Sequence, residues 1–171
     1  MTAAAKSKPA DPKGVPKISP APRPVFKMPG HLLRRCHQIA VGIFLDECRT
    51  FDLTPLQFVA LSTLAEKGPL DQAALGRAAA FDRTTSATVI RALELRGLVD
   101  RSRSQRDRRS KIVTLKKEGQ ALLDAARASV EAAQSRIVAP LNASEQEQLA
   151  GLLEKVAEGN NDFSRAPRHD F

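Results

Sequence analysis

Residues 98–115 read Leu-Val-Asp-Arg-Ser-Arg-Ser-Gln-Arg-Asp-Arg-Arg-Ser-Lys-Ile-Val-Thr-Leu. Two short stretches, residues 98–101 and 111–115, have the apolar content of strands, and a polar segment separates them. Arg101, Arg103, Arg106, Arg108, Arg109 and Lys111 crowd that segment against only Asp100 and Asp107. A ribbon with this tip cannot be core, because unpaired cations are almost never buried. Arginine instead presents planar donors that suit phosphate oxygens. The ribbon follows a helix that stops at Gly97, and that order restricts the fold more than any other part of the chain.

Composition sets the remaining bounds. At 171 residues, the chain makes one ordinary domain, or one domain with a helical extension. Hydrophobic residues reach 42% and aromatics only 4%, with no Trp or Tyr. Aliphatic helix packing must therefore supply the core. The formal net charge of +8 favours polyanionic partners, which concerns association and not fold. Residues 1–28 carry a net +5 and residues 96–117 a net +7, so the rest of the chain sums to −4. Two segments hold the basicity on a mildly acidic body. Two cysteines, no apolar run of membrane length and no signal-like segment fit a cytoplasmic protein in a reducing compartment, away from membranes. With no glycine-rich phosphate loop and no metal-spaced Cys/His set, neither an enzyme nor a cofactor or metal is expected.

Six helices can be read along the chain. Residues 1–28 form a Pro- and Lys-rich arm of disordered composition, which either solubilises the chain or adds nonspecific affinity for polyanions. The first helix spans residues 29–49. Leu32, Leu33, Cys36, Ile39, Ala40, Ile43 and Phe44 give it one broad apolar face. Thr54-Pro55-Leu56-Gln57 is a capping box with proline at the first helical position, opening a second helix that stops at Gly68-Pro69. Asp71 caps a short third helix over residues 71–79, and Asp82 caps a fourth over residues 83–96. A fifth helix, residues 117–139, is Ala-rich. Ser144-Glu145-Gln146-Glu147 reads as a second capping box, opening a sixth helix with Leu149, Leu152, Leu153 and Val156. Residues 159–171 read as a polar tail.

The expected fold class is mainly α with a small two- to three-stranded β-wing. A winged helix-turn-helix head, residues 54–116, would stand on a helical dimerisation platform built from residues 29–53 and 117–158. The fourth helix is the candidate for the major groove. Its first turns expose Arg83, Thr84, Thr85, Ser86 and Thr88, donors able to reach base edges and phosphates. Such residues also favour helix starts for capping alone, and it is the adjacent ribbon that favours the DNA reading. In the ribbon, Asp107 can hold Arg109 by an ion pair and aim it at a minor groove. Arg103, Arg106, Arg108 and Lys111, with the other arginines of the ribbon, would hold phosphates. The apolar faces of the first, fifth and sixth helices exceed what the head can cover, which predicts a twofold dimer.

These features together resemble the MarR family of bacterial transcriptional regulators. The resemblance rests on Leu53-Thr54-Pro55-Leu56-Gln57-Phe58, the Thr/Ser-rich fourth helix ending Leu95-Arg96-Gly97-Leu98-Val99, and Asp107-Arg108-Arg109. It covers residues 30–157. It implies a homodimer reading a palindromic operator in double-stranded DNA, with Asp107 and Arg109 as the wing-tip pair and the Arg83 to Thr88 stretch as the start of the recognition helix. One departure is Lys116, where the family usually has Thr, which weakens the expected cap of the fifth helix.

The family also implies a repressor released by a small anionic aromatic or heteroaromatic effector, or by an oxidant. For the ligand route the candidates are His31, Arg34, Arg35 and His37 near the start of the first helix, with Phe44, Phe51 and Phe58 as ring contacts. Gly30-His31-Leu32-Leu33-Arg34-Arg35 is similar to regulators of aromatic acid catabolism. For the redox route the candidate is Cys36, which falls on the apolar stripe and reads first as a small core residue, although His37 and the nearby arginines could activate its thiol. Cys36 and Cys48 lie about 18 Å apart along one helix, too far for a bridge within the chain. Rival readings are a winged helix used for protein–protein contact and a nonspecific nucleoid binder. The arginine density opposes the first, and the Thr/Ser-rich helix start opposes the second.

Overall fold

The computed structural model describes residues 24–103 and 111–167. The chain divides into two compact units, residues 1–35 and 36–171. In the first, a 3-10 turn at Val25–Lys27 precedes α1 (Pro29–Glu47), and Phe26 meets the His31 ring edge-on at 5.4 Å. The expected arm over residues 1–28 lies outside the described residues up to residue 23.

The second unit holds the end of α1, a 3-10 turn at Arg49–Phe51, α2 (Pro55–Lys67), β1 (Leu70–Asp71), α3 (Gln72–Ala78), α4 (Arg83–Leu95), β2 (Val99–Arg103), β3 (Lys111–Leu115), α5 (Lys117–Val138) and α6 (Ala143–Gly159). The three strands form an antiparallel sheet ordered β1-β3-β2. The fold is mainly α with a small β-wing, as expected. Structure and composition agree on the core: Leu53, Leu61, Leu75, Ile90, Leu93 and Val113 are fully buried, and all are aliphatic.

Caps explain most of the helix boundaries. The Thr54 hydroxyl accepts from Gln57 N–H at 3.3 Å, and Thr54 N–H donates to Gln57 Oε1 at 3.1 Å. Asp71 and Asp82 accept from Ala74 N–H and Thr85 N–H, each at 2.7 Å. Gly97, at φ 70°, makes the left-handed stop after α4. Lys116 makes no side-chain cap, as its departure from the family pattern predicted.

The second capping box is displaced by two residues from its expected position. Asn142, not Ser144, is the N-cap of α6. Its side chain accepts from Glu145 N–H at 3.0 Å, and Glu145 returns the bond to Asn142 N–H at 2.9 Å. Asn142 caps as well as serine does and also has an acid three residues on, so the earlier start wins.

Where α5 leaves the sheet, the backbones come close. A Cβ at Gly119 would stand 2.3 Å from the Leu98 carbonyl oxygen and 2.7 Å from Leu115 Cδ1, so only glycine fits that crossing. Farther along α5, Arg136 donates to Asp46 at 2.6 Å and Glu47 at 2.8 Å, fastening the end of α1.

Candidate nucleic-acid interface

Asp82 sets the start of α4. Its bond from the Thr85 backbone, together with the Thr85 side chain, holds the carboxyl below the usual carboxylate range, and the resulting anion complements the positive end of the helix dipole. The first turns then present Arg83, Thr84 and Thr88 to solvent, with Thr85 half-exposed. Ser86 does not join them. It is 3% exposed, and its Oγ would stand 2.6 Å from a Cβ at Gly76. The serine faces α3 because residues at that angle of α4 share the inward side with Val89, Ile90 and Leu93. Arg91, exposed three residues after Thr88, extends the outer face instead. Its spacing from Thr84 and Thr88 was the signal that would have found it.

The ribbon adds charge beside this helix. Arg103 and Lys111 are directly paired across β2 and β3, and both are exposed. Like charges opposite one another destabilise a ladder, so this pair gains from an anion. Arg106, Asp107, Arg108 and Arg109, the predicted tip, lie outside the described residues. Arg101 departs from the expectation that the ribbon's arginines hold phosphates. It is half-buried, donates to Gln72 Oε1 at 3.0 Å and lies 3.8 Å from Glu94. The alternation of β2 turns it toward α3 and α4.

An open cleft of about 710 Å³ runs between α3, the start of α4 and the sheet. Arg77, Arg83, Arg101, Lys111 and Arg165 line it. Its acids, Asp71 and Asp82, are engaged as helix caps. Arg165 comes from the stretch expected to be only a polar tail. A strongly cationic cleft beside an exposed helix start is complementary in charge to a phosphate backbone.

The residues singled out for an effector fare unevenly. Phe44 and Phe58 pack with ring centroids 5.9 Å apart, and Phe51 rests on the same core. Phe58 also walls a cavity of about 290 Å³ between α2 and α5, where Arg127 stands among Glu66 and Glu131. Arg34, Arg35 and His37 are exposed on α1, and His31 is half-exposed. Cys36 is exposed rather than core, because only Phe44 on the α1 stripe is buried in the single chain. Cys48 is the buried thiol, and burial pushes its pKa up, with Glu47 adding to the effect. Among the described residues no group of acids, histidines and cysteines is placed to hold a metal, and no helix is long and apolar enough to cross a membrane.

A capped helix with an outward face of donors, packed on α2 and the short α3 and followed by a basic antiparallel ribbon, defines a winged helix-turn-helix DNA-binding protein. Comparison with known sequences narrows the class. The MarR family pattern matches residues 53–111. The HTH-type transcriptional repressor NicR of Pseudomonas putida is 35% identical over 154 residues, covering 90% of this chain and 97% of the relative. The chain belongs to the MarR family of transcriptional regulators. Among solved structures, that of Bordetella bronchiseptica BpsR, whose DNA binding is described as regulated by 6-hydroxynicotinic acid, is 33% identical. It superposes with a TM-score of 0.76 over 80% of this chain and 98% of its own. The repressor CouR, solved on a 23-mer DNA duplex, is 30% identical with a TM-score of 0.71, over 76% and 92% of the two chains.

Proposed function

We propose that this regulator is a repressor that binds an inverted-repeat operator as a homodimer and is released by a small anionic aromatic or heteroaromatic ligand. The observation that carries the DNA part is the start of α4, where Arg83, Thr84 and Thr88 stand free beside the exposed Arg103–Lys111 pair. Thr84 and Thr88 read base edges, Arg83, Arg103 and Lys111 hold phosphates, and Arg109, aimed by Asp107, enters the minor groove. Residues 54–116 form the reading head. The platform is residues 29–53 and 117–158, and the exposed apolar faces of α1 and α6 support pairing with a second copy. Two recognition helices would then lie about one DNA turn apart.

For the effector, the candidate is the Phe58 cavity between α2 and α5, with Arg127, which lies 3.8 Å from Asp124, as the cation for a carboxylate. BpsR's response to 6-hydroxynicotinic acid supports that ligand class. Calorimetric titration with 6-hydroxynicotinate, with and without Arg127→Ala, tests it. Binding that depends on Arg127 and weakens the DNA complex is the expected result, and no binding refutes this class. A thiol switch is the second reading, favoured by the exposure of Cys36. Peroxide treatment that releases DNA from wild type but not from Cys36→Ser would favour it over the ligand. Selecting duplexes from a random pool and competing them against scrambled DNA tests sequence-specific reading itself. Equal affinity for both would refute it.

A further inference from the structure

Arg96 is the C-cap of α4, at the opposite end of the helix from the proposed DNA contacts at Arg83, Thr84 and Thr88. Its guanidinium does not face the ribbon. One nitrogen donates to the Phe51 carbonyl at 2.9 Å, and the other to the Asp52 carbonyl at 2.5 Å and to Gln57 Oε1 at 3.2 Å. Phe51 and Asp52 belong to the turn between α1 and α2, and Asp52 holds a left-handed backbone at φ 47°. That conformation is costly for a residue with a side chain and persists only where its surroundings fix it. The Gln57 oxygen already accepts from Thr54 N–H in the cap of α2. One side chain therefore joins three things: the end of α4, the strained turn, and the first turn of α2.

The length of α4 gives this joint leverage. Its thirteen residues span about 20 Å. A tilt of about 3° around the Arg96 end displaces Thr84 by about 1 Å, more than a hydrogen bond to a base edge tolerates. Phosphate attraction varies slowly with distance and survives such a shift. The joint thus bears on base reading far more than on overall charge attraction.

We propose that Arg96 is a positioning residue for operator recognition, setting the pose of α4 without touching DNA. This rests on the sequence-specific DNA reading above. Arg96→Met keeps the aliphatic stem and removes the donors, and Arg96→Lys keeps the charge and loses the fork. Each is compared with wild type on an inverted-repeat duplex selected from random DNA and on a scrambled duplex of equal length, across a salt series. The expected result is a discrimination ratio lowered about tenfold in Arg96→Met, with Arg96→Lys intermediate, and an unchanged salt slope on scrambled DNA. Unchanged discrimination in either folded variant overturns the proposal. So does a salt slope reduced by about one in Arg96→Met, because that marks a direct phosphate contact. Wild-type protein that shows no preference for the selected duplex overturns the underlying DNA reading instead. Should Arg96→Met lose its helical circular dichroism, the same readings on Arg96→Lys decide.

Discussion

The head and the last helix treat apolar surface in opposite ways. In α2, α3, α4 and the sheet, every element sinks side chains into one core, and its polar ends are tied by Thr54, Asp71, Asp82 and Arg96. In α6 no residue is buried, and Leu152 stands 61% exposed with Leu149, Leu153 and Val156 around it. A head that closes on itself can hold a reading face steady. A helix that leaves its apolar stripe open gains stability only by meeting another surface, which a dimer provides. The proposed dimer accounts for the contrast: the head and α5 share the core that stabilises the single chain, and the open face of α6 is left for a second copy.

Four changes would break or sharpen that contrast. The largest effect belongs to Gly119→Val, which forces side-chain atoms into the Leu98 carbonyl and Leu115. Urea denaturation should show a loss of about 3 kcal/mol, at the upper end for overpacking. Wild-type stability would mean that α5 is not locked to the sheet. Next comes Leu152→Glu with Val156→Glu. Sedimentation should show dimerisation weakened by about a hundredfold or more, as for a central interface pair, while helical content holds. If the dimer persists, the α6 stripe is not the interface.

Third is Thr88→Ala. It should cost about 1–3 kcal/mol of operator affinity and little affinity for scrambled DNA. An equal loss on both duplexes would make Thr88 a backbone contact. The smallest effect concerns Asp82. Its folded pKa is depressed, so its charged form adds stability above the usual carboxylate range and loses it as pH falls through the lower, folded value. Asp82→Asn keeps a capping oxygen but should flatten that part of the melting profile between neutral pH and acid. Profiles of identical shape would remove Asp82 from the acid response.

How far the sequence revealed this molecule depended on whether the signal was local. Caps at Thr54, Asp71 and Asp82 and the stop at Gly97 involve residues a few positions apart, and all four stand where the chain pattern put them. The sixth helix shows the limit of that signal: two overlapping boxes competed, and Asn142 won over Ser144. The failures are tertiary. Ser86 looks like Thr84 and Thr88 in sequence, and only the approach of Gly76 shows that it faces inward. Arg101 and Arg96 counted toward one basic run, yet the structure spends both on intramolecular bonds. Cys36 sits on an apolar stripe, but in the single chain nothing covers that stripe at Cys36. Charge counting marks a basic segment and cannot tell which guanidiniums are already engaged.

The salt dependence of binding to the selected inverted repeat is the most direct test of phosphate neutralisation by this protein. If two heads each neutralise several phosphates, affinity should fall by about a thousandfold or more between roughly 50 and 200 mM salt, linearly in the logarithms. Affinity that stays flat across that range would contradict it, whatever the protein binds.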